Sequence, residues 1–264
     1  MTRNILSEDG ARALAAERRR RLRDLVETRH AARLEELSVA LGVSQATVRR
    51  DLDQLAAEGK LRRVHGGAVV VDERPSEVHF DVKAGEAAEA KERIAARAIQ
   101  LLAPDDTVYL DSGSTVLAAA RLLRDWERLT VVTNSLPVAT TLMGRGPRVI
   151  VVGGELRATS QALVGPLSRL MLEGLHLDRA LLGTFALSLE GGLMTTEPAE
   201  AYTKELVLGR AREVILLADS RKVGTSSFVG AGRLEAVDIL VTDAGIADGA
   251  VRSLERRGIK VIKA

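Results

Sequence analysis

Residues 44–52 read SQATVRRDL, with two adjacent arginines, Arg49 and Arg50, in the middle of what predicts a short amphipathic helix. At about 100° per residue, Val48, Leu52 and Leu55 share one narrow arc and face a core. Arg50, Ala46, Gln54 and Thr47 fall on the opposite side, with Arg49 on the flank. Ser44 is a natural N-cap, and Gly42 just before it suits the end of a preceding helix. That preceding helix is predicted over RLEELSVALG, with Leu34, Leu37, Ala40 and Leu41 as its stripe. An earlier one, RRRRLRDLVETRH (18–30), carries Leu22, Leu25 and Val26. Two helices joined by a four-residue turn, the second basic on its outer face, describe a helix-turn-helix at about residues 31–50. The N-terminal half of its second helix reads base edges in the major groove. Arg49 and Arg50 suit guanine and phosphate, while Ser44, Gln45, Thr47 and Gln54 suit phosphates or adenine.

Next comes KLRRVHGGAVVV, whose β-prone runs either side of Gly66-Gly67 predict a hairpin wing over 60–71. It would bring Arg62, Arg63, His65 and Gly66 beside DNA. Charge agrees with this reading. Residues 13–70 hold 12 Lys or Arg against 8 Asp or Glu, a net of +4, while the whole chain is only +2. A basic front end fits an anionic partner, although arginines also simply solvate helix faces.

The 264 residues suit one large domain or two ordinary ones, and 46% hydrophobic content suffices for a core. The absence of cysteine excludes disulfides and thiolate metal sites. His30, His65, His79 and His176 are scattered without ligand spacing, so no metal and no cofactor is expected. No signal peptide or membrane span is expected, and a cytoplasmic location follows.

Residues 71–93, charged and containing Pro75, predict a linker passing into a helix from about Glu86 to Leu102. From Pro104 onward, strands alternate with helices: DTVYL (106–110), LTVVT (129–133), RVIVV (148–152), RALLGTFAL (179–187), EVILLAD (213–219), DILVTD (238–243) and IKVIK (259–263). This predicts a mostly parallel α/β sheet over residues 94–264, covered on both faces. Ligands of such sheets bind in the loops that leave the strand ends. DSGST, residues Asp111, Ser112, Gly113, Ser114 and Thr115, offers a glycine, hydroxyls and helix-start amides, which together form a phosphate cradle. Thr133, Asn134 and Ser135 end one strand, Gly153 and Gly154 another. DSRK ends a third and brings Lys222 as a cation.

EELSVALGVSQATVRRDLDQLAAEGKLRRVHGGA resembles the N-terminal signature of the DeoR-type transcriptional regulators. Ser44, Thr47, Arg49, Arg50, Asp51 and Leu52 match its recognition helix; Gly59, Arg63, His65, Gly66, Gly67 and Ala68 match its wing. Where many relatives start the middle helix with Ser or Thr, this chain has Arg33, which predicts a frayed helix start. YLDSGST, VVTNSLPVA, VVGGELR, LVGP and LLADSRKVG resemble the DeoR-type sensor domain, itself similar to ribose-5-phosphate-isomerase-type enzymes. The resemblance implies a winged helix-turn-helix at 13–70 and a phosphosugar-sensing domain at 94–264. Asp111, Gly113, Ser114 and Thr115 would hold the phosphate, Thr133, Asn134 and Ser135 the sugar, and Lys222 would be the cation. In the looser match GLMTTEPAEAYTKEL, Thr195, Glu200 and Lys204 are further candidates, although Glu200 and Lys204 are also spaced as a helix-surface pair.

Two functions compete on these residues. One is a repressor of a carbohydrate operon, a homodimer or homotetramer on double-stranded operator DNA, controlled by a phosphorylated sugar. The other is a sugar-phosphate isomerase or deaminase with a basic N-terminal extension. An enzyme needs a carboxylate base, and Asn134-Ser135-Leu136-Pro137 offers none where related deaminases carry acids, so the regulator is expected.

Overall fold

The computed structural model describes residues 8–29, 31–58, 60–64, 66–70, 80, 85–144 and 146–264. They belong to two compact units, Met1–Glu73 and Arg74–Ala264. No helix among the described residues is long and apolar enough to cross a membrane.

The first unit runs α1 (Glu8–Arg29), β1 (Ala31–Arg33), α2 (Leu34–Leu41), α3 (Gln45–Ala57), β2 (Leu61–Val64) and β3 (Gly67–Val70). Leu22 and Val26 of α1, Leu34 and Leu37 of α2, and Val48, Leu52 and Leu55 of α3 bury together with Leu61 and Ala68. Leu25 and Leu41 pack partly against them. Ala40 is exposed, contrary to expectation, because it falls off the arc that Leu34, Leu37 and Leu41 share. Gly42 closes α2 at φ 65°, a left-handed cap that favours glycine. Three residues, not four, separate α2 from α3.

β1 was not foreseen, and it corrects two readings. It pairs antiparallel with β3, placing Arg33 opposite Gly67. The start of α2 is therefore held rather than frayed: Leu34 N–H donates to Gly66 O at 2.8 Å, and Arg33 N–H to Glu36 Oε2 at 3.3 Å. The hairpin register pairs Val64 with Gly67, so Gly67 is the first residue of β3 and not part of the turn. A Cβ on Gly67 would collide with the backbone carbonyl of Ala32. That position is glycine because β1 lies so close.

In the second unit α4 (Ala88–Ile99) starts two residues later than the sequence suggested and ends three residues earlier. A parallel sheet follows from β4 (Thr107–Leu110), β5 (Thr130–Thr133), β6 (Arg148–Val151), β9 (Leu177–Gly183), β12 (Ala211–Leu217), β14 (Ile239–Thr242) and β15 (Lys260–Lys263). Its order is β15-β14-β12-β9-β4-β5-β6, every pair parallel. Alternate residues divide between two cores. Val108, Leu110, Leu181, Ile215 and Val241 pack with α4, α5 (Ser114–Leu122) and α6 (Leu136–Leu142). Tyr109, Leu182, Leu216 and Leu240 pack with α8 (Pro198–Leu208) and α9 (Asp248–Glu255). Residues buried on both faces explain why these strands read as continuous apolar runs.

RALLGTFAL is not one strand. The chain leaves the main sheet at Gly183 and enters β10 (Ala186–Ser188), which pairs with β11 (Gly192–Thr195) and through it β13 (Val229–Gly232). Thr184 makes the break, its hydroxyl donating to Ala186 O at 2.7 Å. A hairpin of β7 (Glu155–Arg157) and β8 (Ala162–Val164) and a short helix, α7 (Arg169–Leu172), also belong to this unit. The sheet order reverses at β4: β5 and β6 extend to one side, β9, β12, β14 and β15 to the other. A crevice forms at such a switch point, at the C-terminal ends of the strands.

Candidate functional site

On the first unit, α3 presents an exposed face of Gln45, Arg49, Arg50 and Gln54. Ser44 caps the helix, its hydroxyl accepting from Thr47 N–H at 3.3 Å and lying 3.0 Å from Thr47 Oγ1. Ser44 and Thr47 thus hold the helix start. Gln54 reaches Glu58 Oε1 at 2.8 Å. Asp51, between Arg50 and Leu52 in sequence, turns inward and is 6% exposed. Arg18 of α1 grips it in a forked pair at 2.5 and 3.1 Å, and that hydrogen bond raises the Arg18 pKa. Nothing in the sequence reading singled out this clamp, whose partners stand 33 residues apart. Arg63 lies 3.1 Å from Asp53 and donates to Gly67 O at 3.3 Å, so it braces the hairpin against α3. Gly66 is exposed at φ 84°. The Arg62 side chain and all of His65 lie outside the described residues.

On the second unit a cavity of about 240 Å³ opens at the ends of β4, β9 and β12. Ser112, Gly113, Ser114, Thr115, Thr195, Lys204 and Lys222 line it, as does Glu200. Gly113 begins α5 at φ 139° and ψ 148°, a region that glycine alone occupies freely. A Cβ there would meet nothing within 4 Å of the protein, so the requirement for glycine within the fold is conformational. No side chain caps α5. The amides of Ser114, Thr115 and Val116 are in its first turn, where no helical carbonyl precedes them, and the helix dipole adds positive potential. That end of a helix favours an anion.

Four cations, Lys91, Lys204, Arg221 and Lys222, and three carboxylates, Glu86, Glu200 and Asp219, line the same cavity as those amides. Lys91, from α4, is 4% exposed. Lys204 is 8% exposed and donates to the Asp111 carboxylate and, at 2.8 Å, to Gly183 O. Lys222 donates to Thr184 O at 2.8 Å. Arg221 bonds the buried Asp219 at 2.9 Å, which raises the arginine's pKa. Glu200 accepts from Arg157 at 3.1 Å and from Thr195 at 3.0 Å. Glu200 and Lys204 are therefore not a helix-surface pair; each reaches away to a different strand. The turn carrying Lys222 is tied down by Asp243, which accepts from Ser220 N–H at 2.7 Å and Ser220 Oγ at 2.8 Å. Burial alone would raise the Asp243 pKa, but the bonds from Ser220 and Gly245 outweigh it and lower it.

Several expected contacts are not in the cavity wall. Asp111 stands behind it, its carboxylate engaged by Lys204 and Gly183 N–H, and a second anion there would repel a phosphate. Thr133, Asn134 and Ser135, on the β5 side of β4, are not among the residues that line the cavity. Thr133 donates to Leu110 O at 2.7 Å, Asn134 to Leu163 O at 3.1 Å, and Ser135 caps α6. Gly154 abuts β8, where a Cβ would lie 2.7 Å from Val164 O, and Gly153 meets Met171. Conversely, Phe80, Lys91, Ser160, Phe185 and Arg221 line the cavity without having been foreseen. A strand ended correctly at Gly183 would have exposed Phe185 as another strand-end residue. A lone lysine in a charged helix gives no such signal.

Comparison with known proteins agrees with this division. The chain matches the DeoR-like helix-turn-helix domain over residues 18–74 and the DeoR C terminal sensor domain over residues 86–244. It is 38% identical to the HTH-type transcriptional regulator GlpR of Haloferax volcanii, covering 94% of this chain and 98% of that one. It is 34% identical to the glycerol-3-phosphate regulon repressor of Escherichia coli, covering 84% and 88%. Identity is also 34% with the lactose phosphotransferase system repressor of Streptococcus mutans, covering 86% and 91%.

Proposed function

The chain belongs to the DeoR family of transcriptional regulators, and from that premise we propose that it represses a carbohydrate catabolic operon and is released by a phosphorylated sugar. The exposed face of α3 reads the operator, with Arg49 and Arg50 as its cations and the Arg18–Asp51 clamp fixing the helix. It acts in the cytoplasm as a homodimer or homotetramer, since one recognition helix reads one half-site and paired half-sites multiply specificity.

One observation carries the effector reading: uncapped first-turn amides of α5 and the cations Lys91, Lys204, Lys222 and Arg221 converge on a single cavity. That combination suits a phosphate with a small hydroxylated body attached. Relatives named for glycerol-3-phosphate and lactose regulons lend the carbohydrate class support. The cavity also holds Glu86, Glu200 and Asp219, the residue type an isomerase uses as base. Glu200 and Asp219 are each engaged by an arginine, Arg157 and Arg221, and the regulator reading assigns these two to holding the site together.

The test is a gel shift on the protein's own upstream DNA, titrated with sugar phosphates, beside a thermal-shift screen of the same compounds. Release of DNA by a compound that also raises the melting temperature is expected. Failure of every sugar phosphate in both assays counts against the effector reading, and measurable isomerase turnover overturns the regulator reading.

A further inference from the structure

Phenylalanine is scarce in this chain, three residues in 264, with all aromatics together at 2%. Two of the three, Phe80 and Phe185, line the cavity; the third, Phe228, is 60% exposed. Both are pinned at the backbone. Phe80 N–H donates to Thr159 O at 3.0 Å, and Phe185 N–H to Met194 O at 3.2 Å. Phe80 is 6% exposed, belongs to the same core as Val116 of the first turn of α5, and lines the same cavity as that helix end. Phe185 follows the Gly183-Thr184 break, next to the two carbonyls that hold Lys204 and Lys222. Ser160, 9% exposed with its hydroxyl unpartnered, lines the same space.

A site built only for phosphate and hydroxyls has no use for phenyl rings. Rigid aromatic surface beside polar groups recognises a ligand with one flat apolar face and a polar edge. A pyranose or furanose ring has such a face, formed by its axial C–H bonds. An open-chain polyol phosphate does not, and ordering its freely rotating carbons opposes binding. The cavity, at about 240 Å³, lies below the usual range of about 300–1,000 Å³ for drug-sized ligands and suits a single small ring. We infer that the effector is a cyclic sugar monophosphate, its ring face on Phe185 and Phe80 and its exocyclic phosphate on the α5 amides. This rests on the cavity being the effector site. It selects among ligands that the family reading leaves equivalent, setting ring phosphates above acyclic ones such as glycerol 3-phosphate.

Calorimetry and thermal shift on the full-length protein test it with matched probes. One set is the 1,5-anhydrohexitol 6-phosphates, whose ring cannot open; the other is the hexitol 6-phosphates, which cannot close. Both are run in gluco, galacto and manno configurations beside glycerol 3-phosphate and inorganic phosphate. In at least one configuration the ring-locked compound should bind about tenfold or more tighter than its open partner. Phe185→Ala should collapse that ratio and Phe185→Tyr should restore it. An open-chain phosphate binding as tightly as every ring-locked compound overturns the ring assignment alone, as does a ratio unchanged in Phe185→Ala. The wild-type ratio decides even where the alanine variant does not fold. Silence from all the phosphates, the inorganic ion included, removes the effector reading and this inference together.

Discussion

The recognition face and the cavity use charge in opposite ways. On α3, Arg49 and Arg50 stand in solvent, ahead of a clamp that lies underneath them. In the cavity, Lys204 is bound to Asp111 and Gly183 O, Lys222 to Thr184 O, Arg221 to Asp219, and Glu200 to Arg157 and Thr195. A polyanion such as DNA finds cations through long-range attraction, so they are best left outside. A small ligand gains from groups already held in place, and buried polar networks hold only when their members are satisfied. The same residue types therefore predict different consequences when removed.

The largest effect is expected at Lys204. Lys204→Ala strands the Asp111 carboxylate in the interior, and breaking a buried pair costs about 3–5 kcal/mol. Trp126, the single tryptophan, packs on the sensor core, so its fluorescence during urea unfolding reports this unit. A loss under 1 kcal/mol, the roughly 0–1 kcal/mol scale of exposed ion pairs, would make the pair a surface feature and erase the contrast with α3.

Next comes Arg50→Ala, expected to cost about 1–3 kcal/mol of operator affinity and to relax base preference at one position, with unfolding unchanged. Wild-type affinity and preference in a binding-site selection would show that α3 does not present this arginine to bases. Gly113→Ala comes third. Forcing an L side chain into that backbone conformation costs roughly 1–3 kcal/mol locally. Operator binding should persist while response to the sugar phosphate is lost; a fully inducible variant would place the ligand elsewhere. Lys222→Ala should weaken the response with less effect on folding, since Lys222 is only half-buried. Normal induction would reduce it to a turn lysine.

The smallest effect concerns acid. Asp243 is more acidic folded than unfolded, so the stability it adds is present above its ordinary value of about 3.9 and is lost as pH falls through its lowered folded value. Asp243→Asn should flatten that part of the acid limb in Trp126-monitored unfolding. An unchanged limb would show that the Ser220 turn does not depend on the charge.

How much of this was legible in the sequence follows from locality. The capped helix, its Val48–Leu52–Leu55 stripe and its arginines are contained in a dozen consecutive residues, and periodicity alone places them. The parallel strands were legible because burial on both faces gives apolar runs. β1 was not, since three residues, AAR, carry no pattern and form a strand only because β3 passes beside them. In the cavity, DSGST and Lys222 were found from strand ends. Thr133, Asn134 and Ser135 satisfied the same rule yet are not among the residues that line the cavity, because strand ends on the far side of a switch point face a different loop. Phe80 and Lys91 reach the site only through tertiary folding, which a linear reading does not contain.

The front-end charge has a further consequence for how tightly DNA binding depends on salt. Of the four consecutive arginines 18–21, Arg18 is clamped to Asp51, while Arg20 and Arg21 lie 3.3 Å from Glu17. Ion pairs as exposed as the latter two are weak, and a phosphate can take over such arginines. The half-buried Arg18 fork is not so easily diverted. Counterion release counts only cations that actually change partner, about 0.9 in log–log salt slope for each phosphate neutralised. The number of ions this protein frees on binding will therefore be smaller than its arginines suggest, and Arg18 will be missing from that number.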